Sequence, residues 1–387
     1  MRHNRRDVGL LLLAWWEISR IEELVTRKAY MIPEFEVKGS PFQRGEQIGR
    51  RFMAEIRGSL ARFSGIREVR TRQAALMEAM RGHLQKEFPE IIEEIRGIAR
   101  GAEISDEEAF YKSTYNAVGP AMADDLGCSS VAFATSDVGP ILGKTDDGRF
   151  RPDSNRLGGL TILTIRPEAG YDVLCINQIG TVWTECGVNE AGLCMGTNSG
   201  HPTMKGQDGS GVPQHIAPRL VLQRCANVTE SVDFLRQTRL TGKGINIVLA
   251  DAEGNAAATE NACDMNGVRG PEYGVVFSTN HYFSEEMQAV GWKWDPEFIS
   301  TRYFQNSMNR IAHLYGRFGG GEKSLTLREM REVLMDEHNP GGLCQRPRNN
   351  ENNMITNFGV ILACRNREMW LNEGLPSLDR FTRYALG

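Results

Sequence analysis

Apolar positions recur three and four residues apart in the first third of the chain. Gly45-Glu-Gln-Ile-Gly-Arg-Arg-Phe-Met-Ala-Glu-Ile56 carries this spacing, as does Glu87-Phe-Pro-Glu-Ile-Ile-Glu-Glu-Ile-Arg-Gly-Ile-Ala99. Both predict amphipathic helices. Ser105 and Glu108 stand at capping-box spacing and predict a further helix start. At Asp125-Leu-Gly-Cys-Ser-Ser130 the period changes. Short apolar runs follow at 131–134, 140–143, 160–165 and 171–176, with turn residues at 137–139, 168–170 and 251–254. These read as strands joined by hairpins. Helical spacing returns near 216–238, 300–316 and 325–336, and strands close the chain at 357–363 and 368–371. Many antiparallel strands with separate helical runs predict an α+β fold in which helices cover sheets.

Composition narrows the classes. The 387 residues are 41% apolar and 24% charged, as in an ordinary globular protein, and the net charge is only −4. No basic field is present to hold nucleic acid. The 41 glycines suit a chain with many tight turns. Eight cysteines occur without a CxxC pair, so zinc-ribbon and thioredoxin-like readings drop out, and most read as buried thiols. His201, His281 and His338 show no HxxxH or HxH metal spacing, and no Walker-type glycine loop is present; no cofactor and no metal are expected. The apolar run Val8–Trp16 follows a basic start but is too short to span a bilayer and lacks a small-x-small cleavage site. Residues 1–32 therefore read as a leader of uncertain role, without stable membrane insertion, and a cytoplasmic location is the default.

The candidate chemistry centres on Gly127-Cys-Ser-Ser-Val-Ala-Phe-Ala134. A cysteine after glycine at the head of a strand suits either a nucleophile or a buried strand thiol. Nineteen residues on, Asp147 closes Gly143-Lys-Thr-Asp-Asp147 on the returning strand of the hairpin. A carboxylate there can hold a protonated amine. This pair, with Gly187-Val-Asn-Glu-Ala-Gly-Leu-Cys-Met-Gly-Thr-Asn198, Asn246–Asn255, Ser278-Thr-Asn-His-Tyr282, Asp336-Glu-His-Asn-Pro340 and Trp370–Pro376, resembles the acyl-coenzyme A:6-aminopenicillanic acid acyltransferase family. These are cysteine N-terminal-nucleophile proteins related to choloylglycine hydrolases. With Glu36–Gly45, which is similar to the family's opening strand and turn, the resemblance covers roughly residues 33–377.

The resemblance implies a four-layer αββα sandwich with a helical N-terminal segment. It implies self-cleavage between Gly127 and Cys128, giving an α-chain (33–127) and a β-chain (128–387) that stay together as one folded domain. Cys128 would then be nucleophile and, through its new α-amine, base. Asp147 would orient that amine and Asn280 would donate to the oxyanion. Supporting places fall to Ser130, Lys144, Asn198 and Arg302, with Lys144 open to the alternative of a solvent-facing hairpin lysine. Trp183, His281, Tyr282, Trp292 and Trp294 are candidate substrate walls. The substrate would be a small-molecule amide, hydrolysed or passed to an amine; an acyl-coenzyme A donor is the alternative. An unprocessed Cys-His hydrolase using His281 or His201, or a non-catalytic binding protein, also stays open. A homo-oligomer is compatible with the sequence.

Overall fold

The computed structural model describes residues 31–62, 66–118, 126–150, 157–200, 208–288, 297, 300–321, 325–347 and 353–387. The apolar run at 8–16, His201, Trp292 and Trp294 lie outside them. Ser40 starts the helical region earlier than the spacing predicts. It caps helix α1 (Pro41–Arg51) in a capping box with Gln43, and Pro41 occupies the first turn. The helix breaks at Phe52, and α2 (Met53–Arg62), α3 (Ile66–Glu87), α4 (Pro89–Ala102) and α5 (Asp106–Val118) follow. Helices α1 and α4 meet backbone to backbone through glycines: a Cβ on Gly45 would lie 2.0 Å from the Glu94 carbonyl, and one on Gly101 2.2 Å from that of Glu46.

Among the described residues the strands form two large sheets. The eight-stranded sheet runs β1 (Glu34–Gly39), β4 (Leu160–Pro167), β5 (Val173–Gln178), β6 (Thr184–Asn189), β7 (Cys194–Ser199), β10 (Ile245–Ala250), β11 (Ala256–Ala262) and β12 (Met265–Arg269). The six-stranded sheet runs β13 (Val275–Ser278), β2 (Leu126–Phe133), β3 (Ile141–Arg149), β14 (Met354–Ala363), β15 (Glu368–Glu373) and β16 (Thr382–Ala385). A small pair, β8 (Val212–Pro213) and β9 (Leu240–Thr241), completes them.

Alternation along the strands decides the layers. On the eight-stranded sheet, Val37, Leu163, Ile165, Met195, Ile247 and Leu249 pack against α1–α5 and the helices α6 (Ala217–Arg224) and α7 (Val228–Gln237). The opposite face, with Ile162, Leu174, Val188 and Val248, meets Ala132, Leu142, Val360 and Leu371 of the six-stranded sheet. The outer face of that second sheet, with Val131, Phe133, Ile141 and Ile361, is covered by α9 (Arg302–Phe318) and α10 (Leu327–Met335), which follow a short α8 (Glu285–Gln288). The order is helix, sheet, sheet, helix, the αββα sandwich expected. Strand β1 precedes Gly127 yet pairs in parallel with β4, so segments on both sides of that glycine share a sheet. All eight cysteines are buried free thiols. No described helix is long and apolar enough to cross a membrane, and no cluster of metal-binding side chains occurs among the described residues.

Candidate active site

The hairpin β2–β3 builds the centre. Its register pairs Gly127 with Asp147, Cys128 with Asp146 and Ser130 with Lys144. Ala132 faces the space between the sheets, so Cys128 and Ser130, at even steps from it, face the same way, while Ser129 and Val131 face the helices. Cys128 is 6% exposed. Lys144 is fully buried rather than solvent-facing, and its ammonium donates to the Thr197 carbonyl at 2.6 Å.

Asp147 thus lies opposite Gly127, one position from the thiol's own cross-strand neighbour. Its Oδ1 accepts from Thr356 Oγ1 at 2.6 Å. Its Oδ2 is buried without a hydrogen-bond partner and would lie 3.5 Å from a Cβ placed on Gly127. Burial pushes the Asp147 carboxyl up to about 6, against the pull of the nearby Arg310 guanidinium. Burial likewise pushes the Cys128 thiol up to about 11, although Lys144 draws it down. At neutral pH the thiol of the intact chain is protonated. Lys144 keeps its charge: burial works against it, but Cys128, Asp146 and Glu185 outweigh that and raise its pKa.

Glu185 reaches this group through an irregular strand. The β5–β6 register jumps from Ile176↔Cys186 to Asn177↔Thr184, leaving Glu185 as the extra residue of a bulge. Bulges re-aim side chains. Here the bulge brings a buried carboxylate close enough to act on both Cys128 and Lys144.

Asn280 lies two residues past the end of β13. Its Oδ1 accepts from the Cys128 backbone N–H at 3.0 Å and from Arg310 Nη2 at 2.7 Å, while Nδ2 donates to the Ser199 carbonyl at 3.1 Å. A guanidinium only donates, so Arg310 fixes which end of the Asn280 amide faces Cys128. Arg310 also donates to the Cys128 carbonyl, to Ser129 Oγ at 2.8 Å and, from Nε, to Asn306 Oδ1 at 2.9 Å. One buried side chain therefore grips both sides of the candidate nucleophile. Ser130 donates to Asn198 Oδ1 at 3.0 Å, tying the two sheets together beside it.

The acyl-coenzyme A:6-aminopenicillanic acid acyl-transferase family model matches residues 134–377, more than half of the chain. The chain belongs to the acyl-coenzyme A:6-aminopenicillanic acid acyl-transferase family. The family match begins just past Cys128 and takes in Lys144, Asp147, Asn198, Asn280 and Arg310. The acyl-coenzyme A:6-aminopenicillanic-acid-acyltransferase 40 kDa form of Emericella nidulans is 23% identical over 360 residues, 88% of this chain and 92% of that one. Among solved structures, an N-acylethanolamine-hydrolyzing acid amidase ortholog from Caenorhabditis elegans is 16% identical, with 67% of this chain and 100% of that one covered and a TM-score of 0.42. A mutant conjugated bile acid hydrolase from Clostridium perfringens is 13% identical, over 67% and 97% of the two chains, at a TM-score of 0.39.

Within this family member, Cys128, Ser130, Lys144, Asp147, Asn198 and Asn280 converge. Arg302 does not: it is exposed at the first position of α9, and Arg310, two turns on, holds the site instead. The signal for Arg310 is in the helix pattern. Tyr303, Phe304, Ile311, Leu314 and Phe318 form the buried apolar stripe of α9, and Ser307 and Arg310 interrupt it with polar groups. Tyr282 is a packing residue with Ala262 and Met287, its hydroxyl donating to the Asn261 carbonyl. Trp183 is 5% exposed and lies over the His215 ring at a centroid distance of 3.9 Å. His281 sits at 2.8 Å from Ser307 Oγ through Nδ1. Among the described residues no histidine hydrogen-bonds the Cys128 thiol, as a Cys-His hydrolase would require.

Gly127 is tightly enclosed: an added Cβ would lie 3.1 Å from Met354 Cε and 3.3 Å from Asp147 Cβ. Gly127→Val is expected to push Asp147 from its place. Any splitting at this bond should slow by about tenfold or more, as misplacement of reacting groups by an ångström typically does. Gel analysis of freshly synthesised chains checks this.

Proposed function

We propose that the chain splits itself between Gly127 and Cys128 and then acts as a cysteine amidohydrolase or acyltransferase on a small-molecule amide, through an S-acyl intermediate. The observation that carries this reading is the buried, unpartnered Asp147 Oδ2 against Gly127, with Asn280 Oδ1 already on the Cys128 N–H. A buried carboxylate oxygen without a partner is costly. It gains one when a new α-ammonium appears at Cys128.

In the first step Cys128 Sγ adds to the Gly127 carbonyl carbon. The C–N bond breaks, the nitrogen takes up the thiol proton, and Gly127 is left as a thioester on Sγ. Water hydrolyses that ester, releasing the Gly127 carboxylate and a free thiol beside a free α-amine. The gap left by the departing segment then opens the thiol to substrate.

An α-amine titrates near 7.7–8.0, so at neutral pH it can exchange a proton with the thiol, which the intact chain's amide cannot. Asp147 and Asn280 Oδ1 hold the amine, and Lys144 favours the thiolate. Asn280 Nδ2 carries a second hydrogen beyond the one given to Ser199, which suits it to donate to a tetrahedral oxyanion. Deacylation by water gives hydrolysis, and by an amine, transfer. Transfer from acyl-coenzyme A, the chemistry in the name of the Emericella relative, uses the same acyl-enzyme.

The test is mass spectrometry of the 260-residue piece after exposure to a panel of N-acyl and N-aminoacyl amines, with the released amine measured alongside. The reading requires an acyl adduct on Cys128 and turnover lost in Cys128→Ala. Turnover that survives that substitution would remove Cys128 from the mechanism.

A further inference from the structure

Asn280 lies in a stretch with no ladder of its own. Strand β13 ends at Ser278, and residues 279–284 are irregular yet largely buried. Buried backbone groups need partners, and here two side chains from different layers supply them. Asn246, on β10, donates from Nδ2 to the Thr279 carbonyl at 3.1 Å and to the His281 carbonyl at 3.0 Å. Ser307, on α9, accepts the Asn280 N–H at 2.8 Å. The Thr279 carbonyl and the Asn280 N–H belong to one peptide unit. That unit is therefore gripped at both ends, from the eight-stranded sheet on one side and the outer helix on the other.

Asn246 does this at a cost to itself. Its Oδ1 is buried and has no partner. Both of its Nδ2 hydrogen bonds go to the carbonyls that flank Asn280. Ser307 is similarly placed: its oxygen meets Asn280 N, Thr279 Oγ1 and His281 Nδ1, all on the same three residues.

We propose that Asn246 and Ser307 are positioning residues for Asn280, fixing the backbone from which its amide reaches the Cys128 N–H. The assignment rests on the proposed part of Asn280 in self-cleavage. Their hydrogen bonds go to residues 279–281 and not to Cys128, so both act through Asn280.

The test follows chain splitting in a cell-free translation reaction, chased after a labelling pulse, so that no substrate is needed. Asn280→Ala should slow splitting by about 100- to 1,000-fold, as loss of a preorganised polar contact does. Asn246→Ala and Ser307→Ala should each slow it by about 10- to 100-fold, the cost of misplacing a functional group by up to an ångström. Ser307→Thr, which keeps the oxygen, should recover most of the rate. The decisive comparison is the double variant. If Asn246 acts through Asn280, Asn246→Ala added to Asn280→Ala should slow splitting by no more than about twofold.

A full, multiplicative loss in the double variant, or no rescue by Ser307→Thr, overturns the proposal while leaving the part of Asn280 intact. Normal splitting of Asn280→Ala overturns that part itself, and the proposal with it. Should Asn246→Ala fail to fold, Ser307→Ala in the Asn280→Ala background poses the same question from the other layer.

Discussion

Arg310→Met should destabilise the uncleaved chain by about 3–5 kcal/mol, the usual result of removing one member of a buried charged network. Its guanidinium is fully buried and supplies donors to the Cys128 carbonyl, Ser129 Oγ, Asn280 Oδ1 and Asn306 Oδ1. Methionine fills a similar volume and donates to none of them. Each buried acceptor left without a donor costs roughly 1–3 kcal/mol. A second loss concerns orientation. Without Arg310, Asn280 Oδ1 loses its charged donor and keeps only the Cys128 N–H, so the amide is held less firmly against the candidate nucleophile. Splitting should therefore fall well beyond what lost stability explains. Arg310→Lys keeps the charge but not the fork, and should recover stability more than rate. Urea unfolding of both variants in a Cys128→Ala background, beside splitting rates with Cys128 present, separates the two effects. Equal rates for wild type and Arg310→Lys would show that the fork has no part in the site.

Asp147→Asn should act in opposite directions on the two forms of the protein. In the intact chain the Asp147 carboxyl is held up at about 6 instead of 3.8. Below about pH 4 it is protonated folded or unfolded and contributes nothing. As pH rises from 4 to 6 the unfolded chain releases this proton more readily, and stability falls. Above pH 6 the deficit is complete, roughly 3 kcal/mol for a difference of this size. In a Cys128→Ala background, Asp147→Asn should remove that decline, making the variant more stable than its parent at pH 8 and little different at pH 4. With Cys128 present it should split slowly, and whatever does split should be nearly inactive, because the α-ammonium has lost its carboxylate. Thermal unfolding at pH 4, 6 and 8 reads the first effect. A stability difference between parent and Asp147→Asn that does not grow between pH 4 and 8 would mean that Asp147 already has a partner in the intact chain.

The hairpin that carries the candidate nucleophile was readable in sequence because strand period and turn residues are local properties. Alternation from Ala132 back to Cys128, and the turn before Pro140, need no knowledge of the rest of the chain. The layered α+β class was readable for the same reason. The partners of Cys128 were not legible from local pattern: Asn280 enters through the family resemblance alone, and Arg310 not at all. Asn280 lies 152 residues away and Arg310 lies 182 away; the pairing of β13 with β2 brings in the first, and the packing of α9 on the second sheet the other. The family resemblance points to Arg302, whereas helical phase places Arg302 outside the buried stripe and Arg310 within it. The direction of Glu185 depends on a bulge that no local pattern announces. Lys144 reads as a surface residue by type, because burying lysine is rare; here carboxylates nearby and the Thr197 carbonyl hold its charge inside. The contact between α1 and α4 escapes the apolar pattern, since glycines carry it.

The central claim is that Gly127–Cys128 is a bond the protein breaks itself. Intact mass and N-terminal sequencing of the purified protein, beside Cys128→Ala, test it most directly. Splitting should give pieces ending at Gly127 and beginning Cys-Ser-Ser-Val, with the later one 260 residues long, while the variant stays whole at 43.3 kDa. A folded wild-type chain that also remains at 43.3 kDa would contradict the account.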